Sequence, residues 1–194
     1  MEQYTSNSAP YGTHSLIASE IKNDIKILDV GCNKGYLKSF VKKGTFYGFD
    51  YSPSDLAMAA KEGYVYTEAI DLNQCESIKL KEKFDVITLW HVLEHIHNAD
   101  EVISMFHKIL NEEGVLVIAV PNINSLDRKI YSNYWAAYDV PRHLYHFDVN
   151  TIQNLLKLYG FSLVESLPMK FDSFYVSMLS EKYKTRSEER RVGK

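Results

Sequence analysis

Glycine and acidic residues recur in this sequence where short apolar runs end. The apolar run 25–30 contains Asp29 and leads into a turn with Gly31 and Gly35, and Asp50 ends the next apolar run, 21 positions after Asp29. Glycine permits backbone angles and a close ligand approach that a Cβ atom would block. Because an acid about 20 residues after such a turn typically contacts ribose hydroxyls, the pattern predicts a site for a nucleoside-containing ligand.

Two histidines towards the end of the chain could act as general bases, since histidine titrates near neutrality. His143 is the first candidate for a catalytic base and His146 the second, and Arg142 beside them could anchor a substrate carboxylate or phosphate. The alternative is that the segment 141–147 only packs the loop before the last helix. The sequence leaves these two interpretations equally open.

A third group of residues matches a metalloprotease pattern. His91, Glu94 and His95 fit H-x-x-E-H, in which helical spacing places both imidazoles on one zinc ion. Here the pattern directly follows a predicted buried strand, and zinc proteolysis would leave the glycine turn unexplained. That function is therefore disfavoured, and no metal ligand is assigned. The simplest interpretation is that Glu94 caps or pairs locally while His95 lines the start of a helix.

The segment 123–148 is rich in tyrosine, tryptophan and histidine and has no clean hydrophobic period. In an open α/β fold, an insertion before the last helix lies over the strand ends, where a substrate lid would be. We predict that Trp135, Arg142 and Tyr145 contact a substrate, because an aromatic lid suits an apolar or ring-bearing molecule. The alternative is a small satellite core under a long loop.

The composition excludes several classes of protein. The chain has 194 residues, a formal net charge of −3 and 24% charged residues, so it lacks the basic footprint of a nucleic-acid-binding protein. Its two cysteines, Cys32 and Cys75, are too few for a disulfide framework, which favours a reducing cytoplasm. No apolar run approaches the roughly 20 residues that span a membrane, and no signal peptide is recognisable. No pattern specifies the oligomeric state.

Strands and helices alternate along the chain, which predicts a doubly wound, mostly parallel α/β sheet with right-handed crossovers. The predicted strands are 25–30, 45–50, 64–70, 84–90, 115–120 and 161–167, and the predicted helices are 15–22, 35–43, 99–110, 150–159 and one that starts at Ser52 and ends before Gly63. Asp29, Asp50, Asp71 and the pair Trp90 and His91 then fall at or near the carboxyl ends of strands, where such sheets bind ligands. This shared position is stronger evidence than any single residue.

The chain divides into three predicted parts. Residues 1–24 form an N-terminal segment with a short helix, residues 25–183 form the main domain, and residues 184–194 form a disordered or artefactual tail. The tail is nearly all polar or charged and is similar to the adapter-derived translations that end some assembled sequences. In that case the natural chain would continue beyond it.

Four segments of the sequence resemble a known enzyme family. They are similar to segments of class I S-adenosylmethionine-dependent methyltransferases, in the branch that includes the ubiquinone-biosynthesis O-methyltransferase relatives. The four segments are Asp29-Val-Gly-Cys-Asn-Lys-Gly35, Asp50, Phe84-Asp-Val-Ile-Thr-Leu-Trp-His-Val-Leu-Glu-His95 and Pro141-Arg-His-Leu-Tyr-His-Phe147. The resemblance covers about residues 25–167 and implies a Rossmann-like methyltransferase fold. That fold normally has a seventh, antiparallel strand between the fifth and the sixth. The sheet would lack it if 174–179, the one candidate, is helical.

The resemblance also implies roles for individual residues. The pocket for the methionine moiety would be shaped by Asp29, Gly31, Cys32 and Gly35. Asp50 would bind the ribose, with Tyr51 beside the adenine and with Asp71 and Leu72 at the adenine amino group. The methionyl side would be closed by Trp90 and His91. The family usually has glycine where this chain has Asn33, and asparagine tolerates positive φ better than most residues. Some relatives hold a divalent metal in this region, for which Glu94 and His95 would be the candidates.

These patterns predict an enzyme that transfers a methyl group from S-adenosylmethionine to a small-molecule acceptor, with oxygen as the expected atom. Such an enzyme must align nucleophile, methyl group and sulfur and exclude water. The first alternative is a non-catalytic or truncated module that binds S-adenosylmethionine. An NAD-dependent oxidoreductase is disfavoured, because the turn lacks two of the three glycines of G-x-G-x-x-G.

Overall fold

Five parallel strands form the central sheet of the computed structural model, which describes residues 25–41, 43–78 and 82–192. The strands are β1 (Lys26–Val30), β2 (Thr45–Asp50), β3 (Tyr66–Ala69), β4 (Phe84–Trp90) and β5 (Leu110–Ala119). Their order is β3-β2-β1-β4-β5, and every neighbouring pair is parallel. This topology confirms the predicted doubly wound sheet. The predicted segment 1–24 and its helix lie outside the described residues.

Six helices and four short 3-10 segments connect and cover the strands. They are α1 (Leu37–Phe40), α2 (Pro53–Lys61), α3 (Ala99–Ile109), α4 (Leu126–Tyr131), α5 (Val149–Leu158) and α6 (Lys170–Val192), with 3-10 segments at Leu72–Ser77, Leu93–His95, Ser132–Tyr134 and Ala136–Tyr138. Local signals explain two helix starts. The Ser52 hydroxyl accepts the N–H of Asp55 at the start of α2, and Asp148 and Thr151 form a capping box before α5. In the part of the chain that the structure describes, no helix is long and apolar enough to cross a membrane.

The core lies against the two central strands, β1 and β4. Many of its fully buried side chains come from these strands and from the inner face of α3 (Leu28, Val30, Ile87, Leu89, Val102, Ile103 and Phe106), and β2 adds Phe46 and Phe49. Each such side chain contributes roughly 1.5–3 kcal/mol by leaving water. The ends of β1 and β4, which carry the predicted site, are therefore held by the best-packed part of the molecule.

One predicted strand is wrong. Residues 161–167 form no strand, although they have a strand-like composition, and Val164 is 92% exposed. A strand needs a neighbour for its backbone N–H and C=O groups, and in the expected fold the neighbour of the sixth strand is a seventh strand that pairs with the outer side of β5. The segment 174–179 cannot supply that neighbour, because it lies within α6. Helix α6 also continues through the predicted tail as far as Val192, and the origin of that tail stays a prediction.

Candidate active site

The glycine turn folds over the carboxyl end of β2. The N–H groups of Gly31 and Cys32 both donate to the carbonyl of Phe49, at 2.7 and 3.0 Å. Gly31 and Gly35 have φ angles of +73° and +82°, which glycine adopts without strain. Asn33 has a φ of +48°, so the turn forms with asparagine in place of the usual glycine.

Asp50 ends β2 beside this turn. Its Oδ2 accepts the N–H of Asn33 at 2.8 Å, and its Oδ1 accepts the N–H of Ser52 at 2.9 Å. A carboxylate offers about four lone-pair sites, so each oxygen keeps the capacity to accept a hydroxyl group. Asp50 is half-buried and can be reached by a ligand in the crevice between the turn and the strand ends, which we call the cofactor crevice.

Asp29 supports the cofactor crevice from inside the protein. It is 2% exposed, and its two oxygens accept the hydroxyl groups of Tyr64 at 2.7 Å and Thr88 at 2.8 Å. Burial raises the pKa of Asp29 to about 6, although the two hydrogen bonds lower it. The thiol of Cys32 is also buried, which raises its pKa and keeps it protonated. Both residues therefore make buried contacts within the protein, and their predicted role at the methionine moiety stays a prediction.

The residues predicted beside the adenine follow β2 and β3, which are neighbours in the sheet. Tyr51 is 81% exposed. Asp71 accepts the backbone and side-chain N–H groups of Asn73 at 3.0 and 3.1 Å, and Leu72 packs against the core. The structure brings these side chains to one end of the cofactor crevice, and their contact with a ligand stays a prediction.

Trp90 and His91 lie at the other end of the cofactor crevice. β4 pairs with β1 so that Leu89 is opposite Val30, and the residues that follow these two positions are therefore adjacent. A Cβ atom on Gly31 would lie 2.4 Å from Cγ2 of Val92. The segment after β4 and the glycine turn are therefore in direct contact.

Two carboxylates hold the ring of His91. Its Nε2 lies 2.8 Å from Oδ2 of Asp172, and its Nδ1 lies 3.4 Å from Oε1 of Glu94. Burial lowers the pKa of His91, but the two carboxylates outweigh burial and raise the pKa to about 9. His91 is therefore cationic at neutral pH.

Glu94 joins the histidine-rich segment 141–147 to the strand ends. Its backbone carbonyl accepts the N–H of Leu144 at 2.8 Å. Its side chain is fully buried, and neither carboxylate oxygen has a hydrogen-bond partner among the described residues. A buried carboxylate is costly unless positive groups pair with it. Imidazole nitrogens of His91 and His143 lie 3.4 and 4.0 Å from its Oε1.

His143, the first candidate base, has a fixed ring. Its Nδ1 lies 2.9 Å from the carbonyl oxygen of Ala137. Because a carbonyl can only accept, Nδ1 carries the proton of the neutral ring and Nε2 carries the lone pair. Burial lowers the pKa of His143. The neutral form, which a base requires, therefore dominates at pH 7.

The H-x-x-E-H segment does not form the geometry of a zinc protease. Leu93–His95 is a single 3-10 turn, and His91 pairs with Asp172. Instead, donor atoms of Glu94, His95 and His143 lie within 4.8 Å of one another. That spacing would allow the three side chains to hold one cation.

The lid segment 123–148 serves partly as a satellite core. Trp135 is 4% exposed and packs edge-on against Tyr138, with ring centroids 5.2 Å apart. This burial favours the satellite-core alternative for Trp135. His146 is fixed through Nε2, 3.0 Å from the carbonyl oxygen of Tyr138, and its ring centroid lies 6.4 Å from that of His143.

Two other predicted substrate contacts lie at the surface of this segment. Arg142 pairs with Asp139 at 2.7 Å, and the hydroxyl of Tyr145 donates to the carbonyl of His97 at 2.7 Å. Both side chains remain exposed. Their contact with a substrate stays a prediction.

A methyltransferase domain family matches residues 10–166, which is most of the chain. The chain belongs to this methyltransferase family. The match confirms the resemblance drawn from the glycine turn, Asp50 and the two histidine-containing segments.

Curated relatives of this methyltransferase cover about half of it. The ubiquinone biosynthesis O-methyltransferase of Pelagibacter ubique is 32% identical over 106 residues, which are 53% of this chain and 44% of that protein. The protein of the same name from Bartonella bacilliformis is 33% identical over 103 residues, 50% of this chain and 42% of the relative. The matched part thus spans less than half the length of these relatives.

Solved structures share the fold of this methyltransferase. Magnesium protoporphyrin IX methyltransferase from Synechocystis PCC 6803, solved with bound S-adenosylhomocysteine, superimposes with a TM-score of 0.59 at 21% identity, covering 77% of this chain and 70% of that one. An S-adenosylmethionine-dependent methyltransferase from Corynebacterium glutamicum gives a TM-score of 0.57 at 19% identity, covering 79% and 74%. At these identities the likeness establishes the fold alone.

Glu94 forms the local pair that the sequence allows, since its Oε1 lies 3.4 Å from Nδ1 of His91, whereas the sequence predicts no role for Asp172. Asp172 has no sequence signal at all, because it lies 81 positions from His91. Only the packing of α6 brings it there.

Proposed function

We propose that this methyltransferase domain transfers the methyl group of S-adenosylmethionine to a hydroxyl oxygen of a small, ring-bearing acceptor. The observation that carries the proposal is that Asp50 and the glycine turn lie at the ends of β1 and β2, while the neutral ring of His143 lies 4.0 Å from Glu94, which follows β4. Asp50 and the glycine turn suit the binding of a nucleoside, and the neutral ring of His143 suits the removal of a proton from the acceptor. The O-methyltransferase names of the curated relatives support oxygen as the acceptor atom.

The cofactor crevice has the chemistry that S-adenosylmethionine needs. Asp50 offers one acceptor site on each oxygen, which matches the two neighbouring hydroxyls of a ribose. Tyr51 offers an exposed aromatic face, and Trp90 lies at the end where the methionine moiety would be. When bound, the cofactor supplies an electrophilic methyl group, and the residues of the turn and strand ends supply orientation.

The acceptor side centres on Nε2 of His143. A hydroxyl group that attacks the methyl carbon must lose its proton, and Nε2 carries the available lone pair. The nitrogen that takes up that proton lies 4.0 Å from Oε1 of Glu94, whose negative charge stabilises an imidazolium. General-base catalysis of this kind contributes about 10²–10⁴-fold in rate.

Titration calorimetry tests the cofactor half of the proposal. S-adenosylhomocysteine should bind the purified protein, and Asp50→Ala should abolish binding, whereas Asp100→Ala, an exposed acid on α3, should not. NADH serves as the control for an oxidoreductase. Binding of NADH without S-adenosylhomocysteine would overturn the proposal.

Product formation tests the acceptor half. We would screen phenols and catechols together with the matching anilines and measure S-adenosylhomocysteine release. Turnover with hydroxyl compounds that is lost in His143→Gln and kept in His107→Gln supports the assignment, because His107 is exposed on α3. Cofactor binding without turnover on any acceptor would favour the non-catalytic module.

A further inference from the structure

The last helix reaches the cofactor crevice through one side chain. Asp172, in the first turn of α6, lies 2.8 Å from Nε2 of His91 and is 15% exposed. A charge-assisted hydrogen bond of this length is about twice as strong as a neutral one. The contact joins the last element of the fold to the end of a central strand.

His91 is held in a conformation that it would not adopt freely. Its φ is +54°, in the left-handed region that non-glycine residues seldom occupy. Its N–H donates to the carbonyl of Ala119 at 2.9 Å, and its ring is fixed between Asp172 and Glu94. Such backbone strain persists only where the surroundings fix it, and it clusters at functional sites.

Several described contacts of α6 attach it to the lid segment. The hydroxyl of Ser173 donates to Asp127 at 3.1 Å, the buried hydroxyl of Ser180 accepts the N–H of Ala136 at 2.8 Å, and the hydroxyls of Ser187 and Tyr134 lie 2.9 Å apart. Helix α6 and the lid segment therefore form one body over the strand ends. Asp172 links that body to His91.

We infer that Asp172 is a positioning residue that holds His91 at the methionyl end of the cofactor crevice, so that this one contact of the last helix sets how long the cofactor stays bound. The inference rests on the proposed function, since it assumes that the crevice binds this cofactor. Its physical basis is the contact chain from Asp172 to His91, Val92 and the glycine turn. If His91 relaxes, Val92 no longer supports Gly31, which the cofactor needs in place.

A ligand-free experiment tests the positioning. Backbone hydrogen exchange of the peptide 90–96 is compared in the wild type, Asp172→Ala and Ser173→Ala. The matched control Ser173→Ala removes the neighbouring contact of α6 with Asp127 and leaves His91 paired. We expect faster exchange in Asp172→Ala and no change in the control. Unchanged exchange in Asp172→Ala, or equal acceleration in both variants, would overturn the inference.

Surface plasmon resonance with S-adenosylhomocysteine tests the effect on the cofactor. Asp172→Ala should dissociate about tenfold faster than the wild type, as expected for loss of one charge-assisted bond, and Ser173→Ala should match the wild type. In a His91→Ala background, Asp172→Ala should add nothing further. An unchanged dissociation rate with normal wild-type binding refutes the inference alone. Absence of wild-type binding refutes the proposed function and with it the cofactor part of the inference, while the exchange experiment still decides the positioning.

Discussion

Replacing Asp29 with asparagine should make the domain more stable at neutral pH and leave it nearly unchanged at pH 4. The pKa of Asp29 is about 6 in the folded protein, against the ordinary value of 3.8 for an exposed aspartate. The folded state therefore binds the proton more tightly than the unfolded state. The stabilising effect of the proton is fully present below pH 3.8 and is lost as the pH rises through about 6.

The size of the effect follows from the two pKa values. A difference of about two units, at roughly 1.4 kcal/mol per unit, corresponds to a cost of about 3 kcal/mol for the ionised carboxyl group above pH 7. Asparagine has the same shape and no charge. Its oxygen can still accept from Thr88, and its amide can donate to the Tyr64 hydroxyl, as the O–H of the protonated Asp29 carboxyl group would.

Urea denaturation of wild type and Asp29→Asn between pH 4 and pH 8 measures this difference. We expect the free energy of unfolding of the variant to exceed that of the wild type by a margin that grows by up to about 3 kcal/mol over this range. The exposed substitution Asp100→Asn controls for net charge. A margin that is the same at every pH would refute the reasoning, because a pH-independent difference reports packing or hydrogen bonding and not ionisation.

Three further outcomes follow from the site. Gly35→Ala should destabilise the fold by about 1–3 kcal/mol in urea denaturation, since its Cβ would lie 3.0 Å from the backbone of Ala59 at a φ of +82°; a neutral effect would mean that the turn can rearrange. Ser52→Ala should cost about 1 kcal/mol in the same assay through loss of the α2 cap, with Ser54→Ala as control. His143→Gln should lower kcat by about 10²–10⁴-fold and leave the affinity for S-adenosylhomocysteine within twofold. In the wild type, kcat should fall only when the pH drops below the lowered pKa of His143. A fall in kcat that starts above pH 6.5 would contradict the assignment of His143 as the base.

The cofactor half of the site could be predicted from the sequence because its information is local. A buried strand, a glycine turn and an acid at the next strand end are each visible in a few residues, and parallel pairing must bring the strand ends together. Asp29 shows the limit of that logic. The sequence places it at the strand end, but its partners Tyr64 and Thr88 come from other elements, so its buried state is a tertiary property.

The parts that the sequence predicts poorly depend on partners far along the chain. Residues 161–167 have a strand-like composition, yet a strand forms only beside another strand. The segment 174–179, which would have to form that neighbour, is helical instead. Asp172 reaches His91 through helix docking that no local pattern records. The tautomer of His143 likewise depends on a carbonyl in the preceding loop, which only the folded backbone positions.

The two halves of this site rest on supports of different rigidity. Asp50 and the turn are fixed by the hydrogen-bond ladder of the sheet, whereas His143 and the lid segment are joined to it through the Glu94 carbonyl and the contacts of α6. Mutations in the lid segment that leave the contact between Asp172 and His91 intact can therefore accumulate without disturbing Asp50 and the turn. During evolution such a domain can change the molecule that it modifies while it keeps its methyl donor, because the residues for acceptor and donor lie in separately supported parts of the chain.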